Sequence, residues 1–316
     1  MPRQSRERIK VMENKNMATN YEQFLTLLTE CLQKKLGRGY QFIPQKILKT
    51  NEIVKHSLTI TNGDSNIAPS ICMDAFYLDY ASHNIKLDYI AEAVLQIYKQ
   101  NKADCPIDAS LFTDWSQIRD AIRCRLVNTE KNKHLLSEMP HREVLNLSIV
   151  YYLQVEVPGS TEGTIHIRNE HMKFWHTDET SLYTEAWKNM HAAGDADVSS
   201  IMDIIASVLD MPQPHTSPVL DSQMYILTNR SRLYGAVHMT DLEKMAEIAD
   251  KMSTDLWILP SSIHEVILIP GILKNNAAEL AQMVCEINKT ELSAGEILSC
   301  HVYYFSRDTG KISIAA

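Results

Sequence analysis

DLWILPSSIHEVILIPG, residues 255–271, sets two apolar runs, Leu256–Leu259 and Val266–Ile269, around a polar knot, Ser261-Ser262-Ile263-His264-Glu265. Two readings compete for the knot. As chemistry, it offers hydrolase parts: Ser261 as nucleophile, His264 as base and Glu265 as the carboxylate that orients the base. A serine nucleophile needs its base within ~2.6–3.2 Å. Triads assemble from distant chain positions, and residues this close in a tight connection tend to diverge. No Gly-x-Ser-x-Gly elbow occurs anywhere in the chain. As architecture, the knot is a turn. Pro260 has no amide to donate and stops the first strand, and Ser261 and Ser262 can bond local backbone groups. The turn reading is favoured, with His264 and Glu265 as a possible recognition edge.

Working outward, the same style of short paired elements fills the C-terminal region. QMYILTN and LYGAVHM read as strands around RSR. Thr240-Asp241-Leu242-Glu243 forms a capping box, opening a helix that buries Leu242, Met245, Ala246, Ala249 and Met252. A second helix spans 275–288, and CHVYYF and KISIA form a last hairpin around SRDTG. The order over 223–316 is ββαββαββ. Short loops and paired strands predict an antiparallel sheet with helices on one face.

The N-terminal region mixes the same element types. Residues 1–20 read as a flexible basic tail carrying Arg3, Arg6, Arg8 and Lys10. Tyr21, Phe24, Leu25, Leu28 and Leu32 keep helical spacing, and Gly37 and Gly39 end that helix. YQFIPQKIL and EIVKHSLTI are extended runs around KTN. Leu87, Ile90, Ala91, Val94 and Tyr98 mark a helix over 86–101. AIRCRLV alternates as a half-buried strand, a hairpin is expected across 150–168, and helices at about 178–192 and 198–209. MPQPHTSP, residues 211–218, is the linker candidate. The prediction is therefore an α+β protein of two subdomains, 21–210 and 219–316.

With 316 residues the chain can bury more than one core, since single cores stop growing near ~250–300 residues. A net charge of −8 disfavours direct nucleic-acid binding, which calls for a basic face. No apolar run approaches the ~20 residues of a membrane helix. The opening residues carry no apolar signal region, and the six dispersed cysteines read as reduced thiols, so a cytoplasmic location is expected. There is no Gly-x-x-x-x-Gly-Lys or Gly-x-Gly-x-x-Gly loop, and no cofactor is expected.

Four other groupings carry possible chemistry. RCRLVNTEKNKHLL holds Arg123, Arg125, Asn128, Lys131, Asn132 and Lys133. Arg125 alternates with Leu126, which would place it on an open sheet face as an anion-recognition fork. The structural alternative makes Asn128 a cap and has Asn132 bond a neighbouring loop. His166, His171 and His176 recur near Glu170, without a His-Glu-x-x-His helix, and no metal site is assigned to them. Asp195 and Asp197 read as a capping loop. Of Tyr151-Tyr152 and Tyr303-Tyr304, one member of each pair should face outward, which makes Tyr304 an interaction candidate beside Arg125, Asn128, Asn132, His264 and Glu265.

Several stretches carry a resemblance. NIAPSICMDAFYLDY, RLVNTEKNKHLLSEMPHREVLNLSIVYYLQV, TIHIRNEHMKFW, LYGAVHM, LWILPSSIHEVILIP and ILSCHVYYFSRDTGKI resemble, in order, signatures of an uncharacterised domain family of gut Firmicutes, from about Tyr21 to Ile314. The resemblance implies no activity, fold or catalytic residue. It does suggest accessory or mobile-element cargo.

With no coherent catalytic set and no cofactor loop, the expected function is a non-enzymatic protein that binds another macromolecule. A basic or nucleic-acid-bound protein suits the acidic chain, and inhibition of a host-defence enzyme is one instance. The alternatives are a hydrolase or nuclease, or a structural subunit of a larger assembly.

Overall fold

The computed structural model describes residues 3–64, 68–82, 85–102, 113–155, 163–208, 224–271 and 276–316, with side chains from residue 20 onward except 205–208. Two units divide the chain. The first comprises Met1–Leu48, Val54–Asp108 and Pro158–Ser160, and the second Lys49–Ile53, Ala109–Val157 and Thr161–Ala316. The boundary expected at 211–218 lies outside the described residues.

In the first unit, α1 (Arg3–Leu36) is followed by a three-stranded sheet in the order β1 (Gln41–Lys49), β2 (Ile53–Thr61), β3 (Ser70–Cys72), and by α2 (Asp74–Ala81) and α3 (Leu87–Asn101). Phe24, Leu28 and Leu32, one helical turn apart, are fully buried against Leu58 and Ile60 of β2 and Ile90 and Val94 of α3. The helix begins at Arg3 and not near Tyr21, so residues taken for a tail are helical. No glycine or proline lies between Arg3 and Tyr21 to stop it. Gly37, at φ 92, ends it as expected.

The second unit holds two antiparallel sheets. The smaller comprises β4 (Ile122–Asn128), β5 (His141–Val144), β6 (Leu147–Val155) and β7 (Gly163–His166), in which β6 pairs with all three others. The larger runs β13 (Lys311–Ile314), β12 (Tyr303–Ser306), β10 (Leu256–Leu259), β11 (Val266–Pro270), β9 (Tyr225–Asn229), β8 (Ala196–Ser200). The helices are α4 (Trp115–Ile118), α5 (Lys133–Glu138), α6 (Asn169–Trp175), α7 (Glu179–Ala192), α8 (Ile201–Val208), α9 (Leu242–Met252) and α10 (Ala277–Glu291). The protein is thus α+β with an antiparallel C-terminal sheet. The opening stretch is its centre: β10 and β11 pair from Leu256↔Pro270 to Leu259↔Ile267 across the Pro260–Glu265 connection.

Four details differ from expectation. LYGAVHM is not a strand: Tyr234 adopts a left-handed φ of 64, and 235–240 is a buried 3-10 helix. Its backbone packs so closely that a Cβ on Gly235 would lie 2.5 Å from the Asn229 amide nitrogen. Residues 196–200 form β8 ahead of α8 instead of a loop and helix start. The two C-terminal helices do not share one face. Met245 and Ile248 of α9 join the core that takes Leu256, Ile258 and Leu268, whereas Val284 and Leu280 of α10 cover Trp257, Leu259 and Ile269. Leu-Trp-Ile-Leu is apolar at every position because β10 is covered on both sides. Finally, Cys285 of α10 is disulfide-bonded to Cys300, with Cα atoms 4.8 Å apart, so these two are not free thiols.

Candidate functional site

The knot is a turn with interlocked backbone bonds. The Ser262 hydroxyl accepts from the His264 amide at 2.9 Å, and the Ser262 amide donates to the Glu265 carbonyl at 3.1 Å. The Thr228 hydroxyl donates to the His264 carbonyl at 2.9 Å. The His264 ring makes its own bond outside the turn. Its Nδ1 accepts from the Tyr234 backbone amide at 3.2 Å. That fixes the neutral tautomer with the proton on Nε2, which lies 3.9 Å from Glu296 Oε1. Burial, ahead of the opposing pull of Glu296 and Glu265, lowers the His264 pKa. Among the described residues, neither Ser261 nor Ser262 forms a side-chain bond to the ring.

The ring instead joins a layer that the sequence did not connect. His264 stacks on Tyr234, with centroids 5.5 Å apart and planes at 14°. The Arg125 guanidinium lies 4.7 Å from the centre of the same tyrosine ring. Tyr152 meets Tyr234 edge-on at 5.4 Å. Register explains the rest: Arg123 pairs with Tyr152 and Tyr152 with His166, so Arg125, two residues along β4, shares their face. Arg125 Nη2 lies 3.3 Å from His166 Nε2. Arg125 therefore alternates with Leu126 as expected, but its face is not open, and the residue is 2% exposed.

The electrostatics of this layer are unusual. Burial lowers the Arg125 pKa, and the groups acting against that are the phenols Tyr234 and Tyr152. No carboxylate among the described residues pairs with Arg125, and its Nε has no hydrogen-bond partner. His166 offers no counter-charge, because burial and then the Arg125 charge depress its pKa to about 3. The layer is a buried cation against neutral rings, and His166, Tyr234 and His264 are each partly exposed.

Asn128 and Asn132 are used internally. Asn132, fully buried, donates to Asn51 Oδ1 and to the Asn128 carbonyl, and accepts from the Asn51 amide at 2.7 Å. Asn51, at a left-handed φ of 61, donates onward to the Ala294 and Ile297 carbonyls. Asn128 accepts from the Lys131 amide and donates to the Leu298 carbonyl. These bonds match the structural alternative of a cap and a loop tie.

The remaining candidates scatter. The Tyr304 hydroxyl donates to Asp255 at 2.8 Å, its ring meets Trp257, and its pKa is pushed up to about 12 by burial and then by Asp255. Tyr151 and Tyr152 are both buried, so that pair presents no outward tyrosine. His171 packs on Trp175, and His176 is the left-handed cap of α6. Asp195 lies 3.5 Å from buried His238, and Asp197 sits in β8. Among the described residues, no three metal-ligating side chains gather. Likewise, no helix is long and apolar enough to cross a membrane.

Tyr234, Tyr152 and His166 are the members of the layer that sequence reasoning did not connect to Arg125 and His264. Only the Tyr234-Gly235 pair hinted at an irregular backbone inside an apolar run.

The chain belongs to the Family of unknown function (DUF5688), which it matches over residues 21–307. No curated protein and no solved structure matches it.

Proposed function

We propose that this protein is a non-enzymatic binding protein that engages another macromolecule, receiving an acidic group of that partner at the Arg125–Tyr234–His264 layer. Arg125 carries the reading: a guanidinium 2% exposed, with Nε unpartnered and no carboxylate against it among the described residues. A buried charge without a counter-charge costs on the order of several kcal/mol, and a partner carboxylate would offset that cost. Arginine's planar fork suits such a group. His264 and Glu265 on the adjacent turn form the docking edge. The net charge of −8 favours an overall basic partner during encounter. A nucleic-acid-processing enzyme of host defence, blocked by this protein, is one instance. The hydrolase alternative draws no support from His264, whose Nδ1 is already occupied by a backbone amide.

A photo-crosslinking side chain at Ser261, expressed in the native host, tests the proposal. The expected result is one discrete protein adduct that Arg125→Met abolishes. No adduct, an adduct indifferent to Arg125→Met, or substrate turnover by the purified protein would each contradict it.

A further inference from the structure

The first unit contains a pocket of about 590 Å³, between α1, the β1–β2 pair and α2. That volume lies in the ~300–1,000 Å³ range of small-molecule sites. Its walls are largely apolar, with Leu25, Pro44 and Leu78 among them.

Among the described residues, two hydroxyls of this pocket's lining have no hydrogen-bond partner. Ser57 is 3% exposed and its Oγ makes no hydrogen bond, and the Tyr21 phenol oxygen is likewise buried and unbonded. Buried hydroxyls are nearly always paired, so two orphans on one cavity wall point to a missing partner. Burial, and then the nearby Asp74 charge, raises the Tyr21 pKa, so the phenol keeps its proton as a donor.

Of the two acids lining the pocket, Asp74 is already engaged. Asp74 lies 3.0 Å from His56 Nδ1, 3.8 Å from Lys55 Nζ, and accepts from the Cys72 thiol at 3.4 Å. Lys46 and Glu22, both exposed, complete the charged lining. No carboxylate among the described residues pairs with Lys46.

We infer that this pocket is a binding site for a small amphipathic carboxylate, whose apolar body lies along Leu25, Pro44 and Leu78 and whose head accepts from Ser57, Tyr21 and Lys46. A carboxylate is an acceptor-only group with room for several donors. It therefore answers both hydroxyls and the ammonium at once. The site lies wholly in the first unit and does not depend on the Arg125 reading.

Titration of the full-length protein with octanoate, octanamide and 1-octanol, followed by methyl NMR and calorimetry, tests the inference. Octanoate should bind saturably, shift the Leu25 and Leu78 methyl signals, and bind at least about tenfold tighter than the amide or alcohol, as charge-assisted bonds require. Ser57→Ala and Tyr21→Phe should each weaken octanoate by about three- to tenfold, the value of one hydrogen bond. They should melt no lower than the parent, since neither hydroxyl is bonded in the free protein. The inference is overturned by absent or non-saturable octanoate binding, by equal binding of the three heads, by shifts elsewhere than Leu25 and Leu78, or by undiminished binding in both variants.

Discussion

The backbone amide of Tyr234 donates to Nδ1 of His264 at 3.2 Å, and the two rings stack at 14°. The relationship ties the Pro260–Glu265 connection to the left-handed start of the 3-10 helix. Replacing His264 by alanine leaves that amide without its acceptor and should cost about 1–3 kcal/mol in a urea melt. Ser261→Ala should change stability by less than about 0.5 kcal/mol, because no bond of its hydroxyl to a described residue holds the turn. If both substitutions instead left stability alone and abolished a hydrolytic activity, the turn reading would be wrong.

Asn132 joins three parts of the second unit: the 49–53 segment through Asn51, β4 through the Asn128 carbonyl, and the 294–298 loop through Asn51's onward bonds. Asn132→Ala removes one partner and strands the others, and should cost roughly 2–4 kcal/mol. Asn132→Asp keeps the acceptor but loses both donors, and should be destabilising as well. Equilibrium unfolding of the two variants measures this.

Stability should fall with acid through His166. Its folded pKa is depressed to about 3 against an ordinary 6.5. Between those values the unfolded chain binds a proton that the folded chain refuses, so stability rises with pH across the window and is lost as pH falls through it. His166→Gln keeps an acceptor for Arg125 without titrating. Relative to it, the parent should lose about 3 kcal/mol between pH 7 and pH 4. Parallel pH–stability curves for the two proteins would count against a buried neutral His166.

The Cys285–Cys300 bond closes a loop with a sequence separation of 15, for which chain entropy gives about 3 kcal/mol. Reduction, or Cys285→Ala with Cys300→Ala, should therefore lower the melting temperature by several degrees. Intact-mass analysis after alkylation should show these two cysteines blocked until reductant is added.

Local chemistry made much of this fold legible. Pro260 and two serines between apolar runs announce a connection whatever surrounds them, and Gly37 stops α1 by its own backbone freedom. What depends on distant residues was not legible. Alternation placed Arg125 opposite Leu126 correctly, but distant residues, His166 and Tyr234, decide that its face is covered. LYGAVHM has the composition of a strand, and the close approach of Gly235 to Asn229 overrides it. The one-face expectation for α9 and α10 failed because an all-apolar β10 is compatible with cover on either side. Cysteine spacing carries no pairing information, so Cys285 and Cys300 could not be matched. Arg125 and His264 were each legible as candidates, but not as members of one layer.

The central claim is that Arg125 is a buried cation kept for a partner's acidic group. The most direct measurement is the melting temperature of the parent and of Arg125→Met, each with and without millimolar acetate or phosphate. Methionine fills a similar volume without charge, so the variant should melt at or above the parent in the absence of anion. Added anion should raise the melting temperature of the parent and not of the variant. An Arg125→Met protein that melts well below the parent, with the same response to anions, would contradict the account and make Arg125 a structural residue satisfied by Tyr234 and His166.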